Sequence, residues 1–310
     1  MPLRIALFGR GAWGSTLEAL WRQQGHQVQS WSRRDGGDPV GLVGQCDLAV
    51  MAVAMAGVEP LAARLGPHWP AQLPLLSCSK GIDLERLITA SQIWQEQLAS
   101  SLAVLSGPNL AAELAQGLPA ASVVASRDQP LAAWLQAELS GDTLRLYTNA
   151  DPLGTELAGA LKNVMAVAAG LCDGLELGAN ARASLLTRGL AEMGGVMQGL
   201  GGCITTLYGL AGLGDLLATA TSVLSRNYRC GLLLAQGHSA AEAATEIGAT
   251  VEGLRTARAA VALAQREGWS LPICEQVVAV IESRSSPADA ARALMGRGLK
   301  SEAPSMSPPP

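Results

Sequence analysis

Aromatic side chains are scarce in this chain. Phe, Trp and Tyr together make up 4% of its 310 residues. Histidine occurs three times, never beside a cluster of cysteines or carboxylates. That argues against a metal enzyme, since zinc and iron sites draw on such clusters. The six cysteines, at 46, 78, 172, 203, 230 and 274, form no CxxC pair. They are expected to be free buried thiols, because no secretion signal is visible at the start. MPLRIALFGR turns apolar too briefly and meets glycine at once. No apolar run reaches the roughly 18–20 residues of a membrane helix. The longest candidate, Leu48 to Val58, is bounded by Asp47 and Glu59 and reads better as a buried strand. There is no long run of one charge, and the formal net charge is -4. Neither nucleic-acid binding nor membrane insertion is therefore expected.

What the chain has in quantity is small and apolar residues. Hydrophobic content is 49%, with 35 glycines. This suffices for one large or two ordinary domains with real cores. Small side chains at this density suit close helix packing and backbone that approaches a ligand.

RIALFG, residues 4–9, reads as a buried parallel strand. Gly9, Gly11 and Gly14 follow it, with Trp13 among them, and open a helical stretch from Ser15 to Gln24. Glycines so placed fit a dinucleotide fingerprint: a tight turn, a close backbone approach to pyrophosphate, and tight helix–strand packing. A second strand is expected at 26–32. Roughly 20 residues past such glycines an NAD-binding fold often has an acid for the ribose. Here the chain reads Trp31-Ser32-Arg33-Arg34. Arginine can pair bidentately with a 2′-phosphate, which favours NADP(H). The alternative is a solvated Arg pair, and Asp35 keeps NAD(H) possible. The stretch 36–45 is short and turn-like.

Strand-like runs recur at 48–54, 74–80, 103–107, 121–126 and 143–148, with helices expected at 84–99 and 131–139. Strands alternating with helices indicate a parallel, doubly wound sheet. After Asp151 the strand signals stop, and 154–296 reads as helices broken by glycine. The fold class is thus α/β: an N-terminal Rossmann-like doubly wound sheet over 1–150, then an all-α C-terminal domain over 151–298. Residues 299–310, rich in Ser and Pro, are expected to be a disordered tail.

Within 151–177 the residues Leu157, Leu161, Val164, Ala168 and Leu171 recur at helical spacing. Lys162 and Asn163 interrupt this apolar setting. Such a lysine either snorkels to water or is held in a low-dielectric place. Lys80 follows a strand, where ligands of open α/β sheets lie, or is an ordinary surface lysine. Gly107 and Asn109 stand between a strand and a helix, where Asn109 could cap the helix or its amides could receive an anion. Asp215 follows glycines, so a helix cap is its ordinary reading. Thr219, and then Ser225, Arg226 and Asn227, add donors of the kinds that hold a small phosphate. No nucleophile with a His base can be picked out. The inventory suits reversible reduction of a carbonyl in a small phosphorylated molecule.

At these residues the chain resembles the bacterial NAD(P)-dependent sn-glycerol-3-phosphate dehydrogenases. The resemblance rests on residues 159–195, GALKNVMAVAAGLCDGLELGANARASLLTRGLAEMGG. GAWG at 11–14, SKG at 79–81, SGPNLAAELAQGLPA at 106–120, GLGDL at 212–216, SRN at 225–227 and VEG at 251–253 support it. It implies interconversion of dihydroxyacetone phosphate and sn-glycerol 3-phosphate, for phospholipid synthesis in the cytoplasm, by a homodimer. It also implies Lys162 as proton donor and acceptor, supported by Asp215. Lys80, Gly107, Ser225, Arg226 and Asn227 would bind substrate, with Asn163, Thr219 and Asn109 in the same site. Trp13, Arg33, Ala111 and Glu252 would line the cofactor, joined by Arg226, Arg34 and Lys80. Two features depart from the family: Asn109 stands where Ser or Thr is common, and the segment 35–45 is short. A two-domain dehydrogenase of a non-phosphorylated hydroxy acid, or an NADP-binding regulator without turnover, is the alternative.

Overall fold

A computed structural model describes residues 1–299 of the chain. Apart from Leu299, the expected tail lies outside the described residues. Seven strands form at the positions expected for them. They are β1 (Arg4–Phe8), β2 (Gln27–Trp31), β3 (Leu48–Met51), β4 (Leu75–Ser77), β5 (Leu102–Ser106), β6 (Ala120–Ala125) and β7 (Leu144–Asn149). They make one sheet in the order β2-β1-β3-β4-β5-β6-β7.

The sheet is parallel except between β5 and β6, which run antiparallel. This corrects the all-parallel expectation, and the connection explains it. Between the two strands lies only one helical turn, α5 (Ala111–Leu114). That turn rises about 6 Å, whereas β5 is roughly 17 Å long. The chain does not return to the start of β5, and residues 107–119 stay at the carboxyl edge of the sheet.

Successive side chains feed opposite cores, as a two-sided sheet requires. Ile5, Leu7, Leu48, Val50 and Leu105 pack with α1 (Ala12–Gln23) and α6 (Gln129–Leu139). Ala6, Phe8, Ala49, Met51 and Val104 pack with α2 (Val40–Val43), α3 (Val58–Leu65) and α4 (Ala90–Gln97) on the other face. Two boundaries differ from expectation. The turn-like 36–45 contains the single turn α2. The helix expected over 84–99 begins only at Ala90, because Thr89 and Gln92 form a capping box that fixes its start.

After β7 the described chain is helical: α7 (Pro152–Gly174), α8 (Ala179–Gly199), α9 (Ile204–Leu207), α10 (Asp215–Ala220), α11 (Arg226–Ala235), α12 (Ala240–Ile247), α13 (Glu252–Glu267), α14 (Pro272–Ile281) and α15 (Pro287–Met295). None of these is long and apolar enough to cross a membrane. The cysteines are free, but Cys203 is exposed and Cys46 half-buried, so only four are buried as expected.

Helix α7 is the element the rest surrounds. Asp151 caps it, accepting from Gly154 N at 2.8 Å, and Pro152 fills the first turn, where its missing N–H costs nothing. The other oxygen of Asp151 holds Cys203 N and Thr206 Oγ1, each at 2.8 Å, which ties α9 to the start of α7. α7 packs against α8, α10, α11, α13 and α14, and reaches β5 and α4 as well. It is therefore apolar on nearly every face, not on one stripe. Glycines permit the closest approaches. A Cβ on Gly170 would collide with Tyr228 O, and one on Gly231 with Val167 O, so α7 and α11 touch backbone to backbone.

Candidate active site

The carboxyl ends of β1, β3, β4 and β5 converge at one edge, and β1 has β2 on one side and β3 on the other. This reversal of strand order is where open α/β sheets bind ligands. Gly9 turns there with φ +109, and a Cβ on it would lie 2.5 Å from Ala52 O. A Cβ on Gly14 would collide with Gly9 O. Both are glycines because the protein leaves no room.

Gly11 is different: a Cβ there would meet nothing within 4 Å. It is the N-cap of α1, with no side-chain cap and no acid in the first turn. Unsatisfied N–H groups with open space before them form an anion site. The cradle thus fits a dinucleotide pyrophosphate. Trp13 is half-buried beside it, and Thr16 Oγ1 reaches Ala111 O at 3.3 Å, bringing Ala111 to the same edge.

Arg33 and Arg34 follow β2, exposed, with no hydrogen bond or ion pair among the described residues. Glu252 comes from α13. Burial pushes its carboxyl pKa up, opposed by the Met55 N–H and by Arg255 and Arg226. Its Oε2 lies 3.7 Å from where a Gly81 Cβ would stand. The helical half of the chain therefore reaches over the ends of β3 and β4.

Lys80, Lys162 and Asp215 come together although they are far apart in the chain. Lys80 Nζ donates to Asp215 Oδ2 at 2.6 Å and to Gly107 O at 3.2 Å. Lys162 Nζ lies 2.9 Å from Asp215 Oδ1 and donates to Thr219 Oγ1 at 2.6 Å. The Thr219 hydroxyl in turn donates to Asp215 Oδ1 at 3.1 Å. Local structure sets these positions. Ser79 Oγ holds Val53 O at 2.7 Å, which pins the loop carrying Lys80. Asp215 ends a π-turn over Leu210–Gly214 and begins α10, so Thr219 stands one turn beyond it on the same face. Asp215 caps nothing; the N-cap of α10 is Gly214.

Lys162 does not snorkel, since its residue is only 6% exposed. Burial lowers its pKa to about 8; Asp215 opposes that shift, and the nearby charges of Lys80 and Arg226 reinforce it. For Asp215 burial acts to raise the pKa, but Lys162 and Lys80 overcome it and hold the carboxyl below its usual range. The cluster thus carries two positive charges on one negative, out of water. An ammonium has three N–H donors. Lys162 spends two and keeps one.

Asn163 and Asn227 form a second unit. Asn227 Nδ2 donates to Asn163 Oδ1 at 2.8 Å, and Asn227 Oδ1 accepts from Gly253 N at 2.9 Å. Asn227 thereby holds the start of α13, and with it Glu252, against α7. Ser225 Oγ caps α11 by accepting from Tyr228 N at 3.2 Å. Arg226 is exposed beside the cluster, with no ion pair among the described residues.

Gly107 has φ +147, and its carbonyl receives Lys80. Asn109 is turned toward β6. Its Oδ1 accepts from Ser122 Oγ, its Nδ2 is buried without a partner, and the N-cap of α5 is Leu110. The structure therefore gathers Lys80, Gly107, Lys162, Asp215 and Thr219 directly. It sets Asn163, Ser225, Arg226, Asn227 and Glu252 around them, and leaves Arg33 and Arg34 at the far edge.

Sequence reasoning missed Glu156. It lies 3% exposed on α7 and accepts from Ser91 N at 2.9 Å and from Ser91 Oγ. It joins α4 to α7, across the two halves of the chain. The signal was present, as an acid six residues before Lys162 on an apolar helix.

Residues 151–292 match the family model for the NAD-dependent glycerol-3-phosphate dehydrogenase C-terminus, and residues 37–132 that for its N-terminus. A glycerol-3-phosphate dehydrogenase [NAD(P)+] of Synechococcus sp. (strain RCC307) is 54% identical, over 97% of this chain and 100% of that protein. One from Synechococcus elongatus is 49% identical, over 96% and 97%. The crystal structure of glycerol-3-phosphate dehydrogenase from Coxiella burnetii superposes with a TM-score of 0.92 at 33% identity, covering 96% of this chain and 99% of that one.

Proposed function

The chain belongs to the NAD-dependent glycerol-3-phosphate dehydrogenase family, and from that premise we propose that it reduces dihydroxyacetone phosphate to sn-glycerol 3-phosphate, reversibly, with NADPH or NADH. Residues 1–150 hold the dinucleotide and residues 151–298 carry the substrate machinery. When bound, the reduced nicotinamide supplies the hydride. The protein's own part is to place the carbonyl, protonate it and exclude water. Lys162 Nζ gives its remaining N–H proton to the carbonyl oxygen as that oxygen takes on alkoxide charge; in the reverse direction neutral Lys162 removes it. Asp215 stays ionised and, with Thr219, fixes where the proton is held. Lys80 adds a second positive charge on the same side, which favours a developing oxyanion. Arg226, beside the first turn of α11, meets the phosphate with charge-assisted hydrogen bonds. The product would supply phospholipid synthesis in the cytoplasm, and the working form is a homodimer.

The observation that carries this reading is Lys162: buried, lowered to about 8, with one N–H uncommitted. A positioned acid contributes about 10²–10⁴-fold. Lys162→Ala is expected to fold and to bind dinucleotide, yet to lose that factor in dihydroxyacetone phosphate reduction, followed at the reduced nicotinamide band. Near-normal turnover would remove Lys162 from the mechanism.

A further inference from the structure

We infer that the ion pair between Arg10 and Asp35 decides the choice between NADPH and NADH, by masking the one acid that could serve an unphosphorylated ribose; this rests on the dinucleotide reading of the glycine turn.

The loop after β2 is bound to that turn. Gly9 N donates to Trp31 O at 2.8 Å, and Phe8 pairs with Trp31 across β1 and β2. The loop carries two acids and two arginines. Asp38 is taken by Arg64 NH2 at 3.0 Å and by Val40 N at 3.1 Å. Asp35 Oδ2 takes Arg10 NH1 at 3.0 Å and Ser32 Oγ at 2.8 Å. The Ser32 hydroxyl, and then Arg10, hold its carboxyl below the usual range. Arg10 comes from between the first two glycines of the fingerprint, and its Nε stands 3.8 Å from Glu18 Oε2. Both loop acids are therefore answered by arginines from outside the loop, while Arg33 and Arg34 are answered by none among the described residues.

A ribose with free hydroxyls is selected by a carboxylate with oxygens to spare, whereas a 2′-phosphate is selected by unpaired guanidinium groups. With Arg10 in place, this edge offers the two unpaired guanidinium groups of Arg33 and Arg34, while the Asp35 carboxylate is engaged. Without Arg10, Asp35 stands unmasked directly after the two arginines. It would then repel a 2′-phosphate and accept from a 2′-hydroxyl. Arg10 is on this account a positioning residue acting through Asp35, not a phosphate ligand of its own.

The test is a double-mutant cycle with Arg10→Ala, Asp35→Asn and both together. All these side chains are exposed, so the variants should fold, which thermal unfolding checks. Two quantities are read. One is the ratio of kcat/KM with NADPH to that with NADH. The other is calorimetric binding of 2′,5′-ADP against 5′-ADP, which needs no substrate and stands even if the proposed reaction fails. Arg10→Ala is expected to lower both preferences about tenfold or more, equivalent to about 1.4 kcal/mol. Asp35→Asn should keep or raise them. The double variant should return to within about threefold of the parent. If Arg10→Ala leaves the preference unchanged, or if Asp35→Asn does not rescue it, masking is overturned; the second result makes Arg10 a direct ligand of the 2′-phosphate.

Discussion

Asp215→Asn removes one negative charge, and almost no volume, from between two ammonium groups. In the intact protein burial brings Lys162 to about 8, and Asp215 keeps it from falling further against Lys80. An opposite charge in contact is worth about 1–3 pH units. Without it the Lys162 pKa drops by at least about one unit, while burial and Lys80 still act on it. Reduction needs the protonated lysine. The basic limb of kcat/KM for dihydroxyacetone phosphate, which reports the free enzyme, should therefore move from about 8 in the parent to about 7 or below. At about pH 7.5 the parent keeps roughly three-quarters of Lys162 charged and the variant roughly a quarter or less. Oxidation of sn-glycerol 3-phosphate needs the neutral lysine, so its acidic limb should move the same way.

The same shift appears in stability. Lys162 is lowered from 10.5 to about 8 in the folded chain, so between these values the unfolded chain binds more protons and stability rises with pH. The recovered amount is of order 3 kcal/mol. Breaking a buried pair by removing one partner ordinarily costs about 3–5 kcal/mol. Here the loss is limited, because Lys162 can shed its proton, and the window of rising stability extends downward instead. The assay is the pH profile of initial rates in both directions, beside thermal unfolding over the same range. A variant whose basic limb stays at about 8, or moves upward, would refute the claim that Asp215 sets the charge of Lys162.

Three further outcomes follow from the geometry. Arg226→Ala should raise KM for dihydroxyacetone phosphate roughly 10–100-fold, the value of a charge-assisted hydrogen bond; an unchanged KM would remove the phosphate role. Gly170→Ala puts a Cβ into Tyr228 O where α7 meets α11 and should cost about 1–3 kcal/mol in denaturant unfolding; full stability would show that the contact can open. Burial pushes Glu156 up to about 7 from 4.5, against donors from Ser91 and Thr89. The folded chain thus holds more protons than the unfolded one, and stability falls as pH rises through that window, by about 3 kcal/mol. Glu156→Gln should flatten this part of the profile, and an unaltered slope would exclude Glu156 as its source.

The inner strands were legible because a strand buried on both faces is a continuous apolar run, whereas the edge strands β2 and β7 mix apolar and polar residues. Their directions were less so. Nothing in the run Ala120–Ala125 says that it pairs antiparallel; that depends on the connection through α5, whose path is not local to the strand. The helix within 151–177 was legible from its apolar spacing, whereas the start at 84–89 was misread, because apolar Leu84 and Leu87 imitate the helix that Thr89 begins. The site was visible in parts. Lys162 drew notice because its neighbours are apolar. Its partner Asp215 offered locally only the look of a cap, since an ion pair between distant segments leaves no periodic trace. Asn227 looked like a phosphate donor, and nothing local showed that it also gives one amide N–H to Asn163 and accepts from Gly253.

The scarcity of large side chains and the buried lysine share one cause. A positive group of lowered pKa is useful only if its environment cannot relax to rehydrate it. Around α7 that rigidity comes from backbone contact. A Cβ on Gly159 would stand 2.5 Å from Ser106 Oγ, and one on Gly253 2.8 Å from Asn163 O. Gly170 and Gly231 bring α11 equally close. These approaches flank Lys162 toward β5, toward α13 and along α7 itself. They join the helix that carries the proton to the sheet edge, to the helix bearing Glu252, and to the helix that starts at Arg226. Larger residues would bury more apolar area but set the helices further apart, admitting water to Lys162 and returning its pKa toward that of a surface lysine. The composition that left the chain poor in aromatics is therefore the composition that keeps Lys162 dry.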